Sequence, residues 1–520
     1  MGRSSSNLVT DAAASDQLTS KMLPPAAMWS AAVLLAVANF MAVLDLSIAN
    51  VSVPNIAGGL GASPGEGTWV ITSYAVAEAI IVPLTGWLTS RFGSVRVLVV
   101  AMAGFGLCSA LCALSTSLNF LVVARILQGL TGGPLIPLSQ ALLLRIFPSH
   151  QQALAMALWS MTTVLAPVVG PLLGGVLCDA VGWPSIFWIN VPISIVATLA
   201  LWKCLQSHET PSRRVEVDLI GLVLLVVWVG ALQLTLDLGK DHDWFASDLI
   251  VSLTVVSFVG LVTFVIWELT DDNPIVNLKI LRYRGFATSL IALALAMGAY
   301  FATIVLTPLW LQTDMGYTAR QAGTTMAGSG IAAFVASAVA SKMLARANHK
   351  YMVVGALLYL GIISFIRSGA TSQMTYGQIA MQVSFMGLGM SFFIIPLMTS
   401  ALRSVKTEDL AAASGLINFV RTVAGAFGTS IVTSAWINGG SRYHEEIVSA
   451  LQNTRHLIDF FVQRGMSTEQ SIFLIERVVA GQAAMLSTNQ VFTGCSVTFV
   501  LTALVVLLMP LASDKTRPAR

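Results

Sequence analysis

Runs of about 20 apolar residues recur along almost the whole chain, each long enough to cross the roughly 30 Å hydrocarbon layer of a membrane. In lipid, backbone polar groups have no water to bond, so the segments that span it must satisfy those groups internally, as helices do. Composition agrees: 56% of the 520 residues are hydrophobic and 10% charged, against about 25% charged residues in soluble domains. The expected class is an all-α integral membrane protein.

Setting the apolar runs against their polar breaks gives fourteen spans, near 29–52, 68–89, 96–115, 118–144, 152–178, 184–204, 218–238, 248–268, 286–312, 320–342, 351–369, 376–402, 411–437 and 490–511. Basic residues fix the orientation. Arg91, Arg96, Arg145, Lys203, Arg213, Arg214, Lys279, Arg282, Arg284, Lys342, Arg346, Lys350, Arg403 and Lys406 fall on the side of both termini, while the short loops opposite hold only Lys240, Arg320 and Arg367. Both termini are expected in the cytoplasm. Spans 7 and 8, between the charged stretches HETPSRRVEVD and ELTDDNPIVNLKILRYRG, look inserted between two six-helix halves. The expected organisation is a tail (1–27), an N-terminal bundle (28–205), a linker carrying helices 7 and 8 (206–284), a C-terminal bundle (285–511) and a short tail (512–520). The weak internal echo between the halves suits the parallel repeats of a major facilitator fold. Residues 438–489 form the one sizeable outer segment, with amphipathic stretches around Ile447–Val462 and Ser467–Val479 parted by Gly465. Ser467 and Gln470 are spaced as a capping box. The segment is expected to lie as surface helices at the interface or to dock an external partner.

Charges inside the spans carry the chemistry, because an ionisable group at membrane depth costs roughly 2.5–3.5 kcal/mol on insertion scales. The six histidines fall in loops or at helix ends. Asp45 and Glu78 are the acids left well inside spans, and Arg125 and Arg421 the bases. At about 1.5 Å per residue, Asp45 lies roughly 10 Å, Glu78 roughly 15 Å and Arg125 roughly 10 Å below the outer face. Three helices thus bring three charges to one layer. Arginine keeps its charge and favours an ionised carboxylate beside it, so Asp45 and Arg125 are expected to pair, and Glu78, without a cation of its own, to lean toward its neutral form. Such a layer suits a proton-coupled carrier; a static ion pair locking two helices is the alternative. Arg421 is expected at the central cavity or on a backbone carbonyl. Tyr74, Gln128, Tyr300, Phe301 and Asn418 lie at depths that suit a substrate cavity. No phosphate-binding GxxxxGK[ST] loop occurs, no cluster has metal-ligand or nucleophile spacing, and the five scattered cysteines read as packing residues. An enzyme, a metal centre and a nucleic-acid partner are not expected.

Span 5 carries APVVGPLLGG, with Gly170, Gly174 and Gly175 beside Pro171; small residues four apart let helices approach closely. The small-residue run MAGSGIAAFVASAVAS of span 10 is a candidate partner for it. With LDLSIANVSVP around Asp45, GWLTSRFGSVR (Gly86, Arg91, Gly93, Arg96), RILQGLTGG from Arg125, LTDDNPIVNL and AAASGLINFVR, the chain resembles the EmrB-type, fourteen-span drug:proton antiporters (DHA2 family) of the major facilitator superfamily. The resemblance runs over nearly the whole length. It implies Asp45 as the coupling aspartate, Arg125 as the arginine linked to proton transfer, Gly170, Pro171, Gly174 and Gly175 as the antiporter motif, and a gating loop at Gly86–Arg96. It also implies a proton gradient as energy source, no cofactor, lipophilic cargo and an inner-membrane location. The expected partners are a periplasmic adaptor of the EmrA type and an outer-membrane channel of the TolC type. Ser90 stands where the superfamily has an acid, and Ala166 replaces the first motif glycine. A symporter or a dedicated metabolite exporter on the same fold is the alternative.

Overall fold

The computed structural model describes residues 24–508 apart from 63, 149–150, 213–217, 240–243, 272–273, 318, 345–346, 407–408 and 452–453. Arg213, Arg214, Lys240, Arg346 and most of both expected tails lie outside the described residues, as do the side chains of Pro171 and Arg320.

Helices cover each of the fourteen expected stretches. In chain order they are α1 (Pro25–Gly59), α2 (Trp69–Ile81), α3 (Thr85–Phe92), α4 (Ser94–Ala113), α5 (Leu118–Gly132), α6 (Leu135–Ile146), α7 (Gln152–Ala180), α8 (Asn190–Leu205), α9 (Leu219–Leu238), α10 (Asp248–Thr270), α11 (Arg284–Thr313), α12 (Ala319–Leu344), α13 (His349–Arg367), α14 (Tyr376–Arg403), α15 (Leu410–Ala450), α16 (Thr454–Val462) and α17 (Thr468–Leu508). Among the described residues, 12 helices are long and apolar enough to cross a membrane, and the pair α2 and α3, bent by 58°, makes a thirteenth. The 29-residue α7 covers the fifth stretch. Pro83 falls in the bend between α2 and α3, and Pro134 with Gly133 between α5 and α6. Proline removes an amide donor and clashes with the preceding turn, so the first pair bends there and the second is interrupted within one span, Leu118–Ile146. Polar caps close several helix starts: Asn348 accepts from Lys350 N at 2.9 Å, Asp218 from Gly221 N at 2.8 Å, and Thr375 and Gln378 form a full capping box.

In the N-terminal half, α1 packs on α7 and α6, and α5 on α2 and α4; in the C-terminal half, α12 packs on α14, α11 on α15 and α13 on α17. Contacts of α7 with α12, and of α15 with α3 and α6, join the halves. The linker pair is α9 and α10, and α9 lies on both α2 and α15. There Trp228 meets Phe264 and Phe419 at ring-centroid distances of 5.8 and 5.7 Å, and Ser430 donates to the Leu236 carbonyl at 2.8 Å.

Two expectations change. Residues 438–489 are not helices laid on the membrane surface. They are the far ends of α15 and α17, each 41 residues in one unbroken helix, with α16 between them. Such a helix is about 60 Å long, twice the hydrocarbon thickness, so the pair stands beyond the apolar layer as a stalk. The polar run NGGSRYHEE reads as a loop, but Gly439 and Gly440 do not end a helix that a neighbour supports. Trp436 Nε1 donates to Thr488 Oγ1 at 2.8 Å, Ser487 Oγ to the Trp436 carbonyl at 2.7 Å, and His444 Nε2 meets Glu476 Oε1 at 2.8 Å. The expected capping box forms: Ser467 N donates to Gln470 Oε1 at 3.0 Å and Gln470 N to Ser467 Oγ at 3.1 Å. Second, Arg367 is no loop residue. It ends α13 at 3% exposure, donating to Thr307 Oγ1 at 2.6 Å with its guanidinium 4.1 Å from the Phe492 ring centroid. An aromatic face and a hydroxyl hold it inside the bundle.

The starts of α1 and α15 and the end of α17 share one face, here the terminal face; the stalk stands on the opposite one. At the terminal face the two halves meet closely. A Cβ on Gly86 would fall 2.6 Å from that of Ala412, and one on Gly415 2.9 Å from the Val82 carbonyl oxygen. Gln140, fully buried on α6, accepts from Ser414 Oγ at 2.9 Å and Asn418 Nδ2 at 3.0 Å on α15.

Candidate functional site

Asp45 and Arg125 are both 0% exposed and form an ion pair between α1 and α5. The pair does not stand alone. Asp45 Oδ1 accepts from Gln128 Nε2 at 3.0 Å and Asn190 Nδ2 at 2.9 Å, which leaves Oδ2 for Arg125 Nη1. Arg125 Nη1 also donates to Gln128 Oε1 at 2.9 Å, and Nε to the Val70 carbonyl at 2.9 Å. Its guanidinium carbon lies 4.3 Å from the Tyr74 ring centroid and 5.6 Å from that of Phe187. A desolvated charge of each sign is tolerable only where the partner and most of the polar atoms are satisfied, and this shell does that with amides and aromatic faces. Within this shell Arg125 Nη2 is a buried nitrogen left without a partner among the described residues.

This geometry reassigns several residues. Gln128 and Tyr74, expected to line a substrate cavity, are built into the shell of the ion pair. Cys112, expected as a packing residue, donates its thiol to Gln128 Oε1 at 3.3 Å. Asn418 is tied to Gln140 across the seam. Tyr300 packs within the C-terminal half on Phe393, with centroids 6.5 Å apart, and Phe301 lies under Gly425. The six expected cavity residues thus lie on both sides of the seam, Tyr74 and Gln128 in the N-terminal half and Tyr300, Phe301, Asn418 and Arg421 in the C-terminal half. A groove of about 440 Å³ lies elsewhere, on the stalk, between Trp436, Gly440, His444, Ala480 and Ala484. Glu78 is 7% exposed, one turn past Tyr74 on α2. Arg421, 8% exposed on α15, is expected at the central cavity or on a backbone carbonyl, and the acid whose charge reaches it is Glu78 in the other half.

The glycines of span 5 seat α7 against α1 rather than against α12. A Cβ on Gly170 would come within 3.1 Å of Ile48 N, and one on Gly174 within 3.1 Å of the Ile48 carbonyl oxygen, one turn from Asp45. Gly175 has nothing within 4 Å. Helix α12 packs on α7 as well, but the glycine face is turned to α1. Gly170→Leu is therefore expected to displace α1, abolish transport and cost about 1–3 kcal/mol through overpacking. Gly175→Leu should do markedly less, and transport assays beside thermal melting of the purified variants check both.

In the loop after α3, Gly93 adopts φ +90°, a conformation closed to most side chains, and Arg91 lies over the Trp87 and Phe92 rings at 5.6 and 5.7 Å. Ser90 is exposed and donates to the Gly86 carbonyl at 2.9 Å. The acid missing at that position has a counterpart that sequence reasoning overlooked. Glu209, from the segment after α8, accepts from Val95 N and Arg96 N, both at 2.9 Å, with Arg96 Nε 3.9 Å away. A carboxylate on the first amides of α4 satisfies orphan donors and meets the positive end of the helix dipole. Glu209→Gln should lower thermal stability by about 1 kcal/mol, measurable by melting in detergent. Asn190 and Gln140 were also missed, although an amide amid apolar residues is a weak signal of the same kind as Asp45.

A buried charge cluster between helices of one half, beneath a seam that closes at one face, defines a transporter rather than an enzyme. The Major Facilitator Superfamily matches residues 35–429. The chain is 40% identical over 463 residues to the multidrug export protein EmrB of Escherichia coli (strain K12), spanning 88% of this chain and 90% of that one. It is 39% identical over 478 residues to the fatty acid resistance protein FarB of Neisseria gonorrhoeae, spanning 91% and 94%. In fold it matches the crystal structure of the human organic anion transporter MFSD10 (TETRAN), with TM-score 0.59 and 14% identity, covering 93% of this chain and 100% of that one. The chain belongs to the EmrB-type drug transporters of the Major Facilitator Superfamily and is a multi-pass membrane protein.

Proposed function

We propose that the protein exports lipophilic toxic compounds across the inner membrane by exchanging them for protons, with the terminal face in the cytoplasm. The observation that carries this reading is the Asp45–Arg125 pair, sealed from solvent and held by Gln128 and Asn190. A proton arriving at Asp45 cancels the charge that Arg125 and the two amides are arranged around, which weakens the hold of α1 on α5 and α8. Because α7 is seated on α1 through Gly170 and Gly174, such a shift is passed to α7. Glu78 adds a second carboxylate near the same layer. The energy source is the proton gradient, and no cofactor takes part. The stalk, with Ile472, Phe473 and Val478 at 50%, 70% and 56% exposure, offers apolar side chains to a periplasmic adaptor of the EmrA type, which in turn meets an outer-membrane channel of the TolC type. EmrB and FarB, named for multidrug export and fatty acid resistance, support antibiotics, uncouplers and fatty acids as the compounds to try first.

The test uses inside-out membrane vesicles carrying the protein, energised to an acid interior. Gradient-dependent accumulation of one of these compounds, lost when a protonophore collapses the gradient, is the expected result. Accumulation only in right-side-out vesicles would mean import and would overturn the reading.

A further inference from the structure

Two charges at the seam remain after Asp45 and Arg125 have neutralised one another. Glu78 is on α2, in the N-terminal half, and Arg421 on α15, in the C-terminal half; both are more than nine-tenths buried. Neither side chain makes a hydrogen bond or an ion pair within 4 Å among the described residues. The helices place them level. Val82 follows Glu78 by one turn at the end of α2, its N–H donating to the Glu78 carbonyl ahead of the 58° bend. On α15, Ser414, Asn418 and Arg421 follow at i, i+4 and i+7 and share one face. Gly415 meets the Val82 carbonyl and Thr85. Measured from that contact, Glu78 lies four residues, or about 6 Å, toward the stalk, and Arg421 six residues, or about 9 Å, in the same direction because the helices are antiparallel.

The surrounding elements add no competing partner. The charges acting on Glu78 are Arg421, Arg125 and Asp45, and the one acting on Arg421 is Glu78. Tyr74 lies on the same helix as Glu78. Helix α9 also packs on α2, but its one acid, Asp237, accepts from Gln233 at 3.4 Å and bears on neither group. Helices α3, α6, α9, α11, α14 and α17, which pack on α15, bring no charge to Arg421.

We propose that Glu78 and Arg421 form an electrostatic latch between the two halves, which holds the terminal face shut while Glu78 is ionised and releases it when Glu78 takes a proton. The sense of the coupling suits antiport. The carrier that has unloaded its cargo outside and taken up a proton is the one freed to reopen inward, and loss of that proton to the cytoplasm lets the latch engage again. This inference rests on the proposed proton-driven export but is read out separately from it. At an effective dielectric near 20 and a separation on the order of 10 Å, one such contact shifts the closed-to-open ratio roughly tenfold.

The experiment places spin labels at Ser90 and Lys406, exposed positions on opposite sides of the seam, in cysteine-free full-length protein in lipid nanodiscs. Electron–electron distance distributions are recorded from mildly acidic to mildly alkaline pH. A long-distance population that grows roughly tenfold on acidification is the expected result for the parent protein. Glu78→Gln and Arg421→Gln should each hold that population at its acidic level at every pH, while Arg421→Lys and Asp45→Asn should still titrate. The two neutralisations are independent, so either reads the latch if the other fails to accumulate. A pH response retained in Glu78→Gln or Arg421→Gln, a closed seam in either at all pH values, or a response lost in Arg421→Lys would overturn the proposal. Because distances need no transport, a latch that titrates in protein that moves no cargo would count against the export reading alone.

Discussion

Asp45→Asn leaves the protein folded and inserted but reduces gradient-driven efflux to the level of vesicles lacking it. Asparagine keeps the shape of the side chain and an oxygen for Gln128 and Asn190, which bond Asp45 Oδ1 at 3.0 and 2.9 Å. What it loses is the ability to take up and release a proton. A variant that still assembles, at the stability cost of leaving the buried Arg125 charge unpaired, yet cannot use the gradient separates chemistry from architecture. The check pairs efflux in energised vesicles with size-exclusion profiles of the purified variant; efflux still driven by the gradient at the parent rate would remove Asp45 from the coupling role.

The second large effect concerns stability. Arg125→Leu strips Asp45 of its counter-charge inside a shell with 0% exposure, and breaking a buried pair from one side costs about 3–5 kcal/mol. Replacing both partners, Asp45→Leu with Arg125→Leu, removes the uncompensated charge and should recover most of that loss, since apolar substitutes for a buried pair are often neutral or stabilising. Gln128 and Asn190 would then lose partners, so recovery is incomplete. The coupling energy from the four melting measurements is expected to be large and of the sign that marks a direct interaction. Neither variant should transport. If the double variant were as unstable as the sum of the singles, the pair would not be the organising contact of α1 and α5.

What the sequence revealed follows from how rare charge is in lipid. Fourteen apolar runs and two acids inside them are conspicuous, and counting 1.5 Å per residue was enough to bring Asp45 and Arg125 to one depth. Depth says nothing of azimuth. It put Gln128 and Tyr74 at a cavity when the turn of their helices aims them at the ion pair, and it could not bring Arg421 to Glu78, which lies in the other half. Amides are harder still: Asn190 reaches Asp45 across 145 residues of chain and Gln140 reaches Asn418 across 278, and neither is costly enough in a span to stand out. The stalk was missed for a different reason. Polarity marks where a chain leaves lipid, not where its helix ends, and α15 continues past that point because α17 supports it. Arg367, assigned to a loop by its position at a span end, is held inside by Phe492 and Thr307.

Proton release on substrate addition, recorded with a pH dye in weakly buffered purified protein, tests the exchange most directly. Binding of a transported compound to the parent protein should expel protons, and the same compound should bind Asp45→Asn with that release reduced to what Glu78 alone supplies. Equal release from both proteins would contradict proton exchange at Asp45.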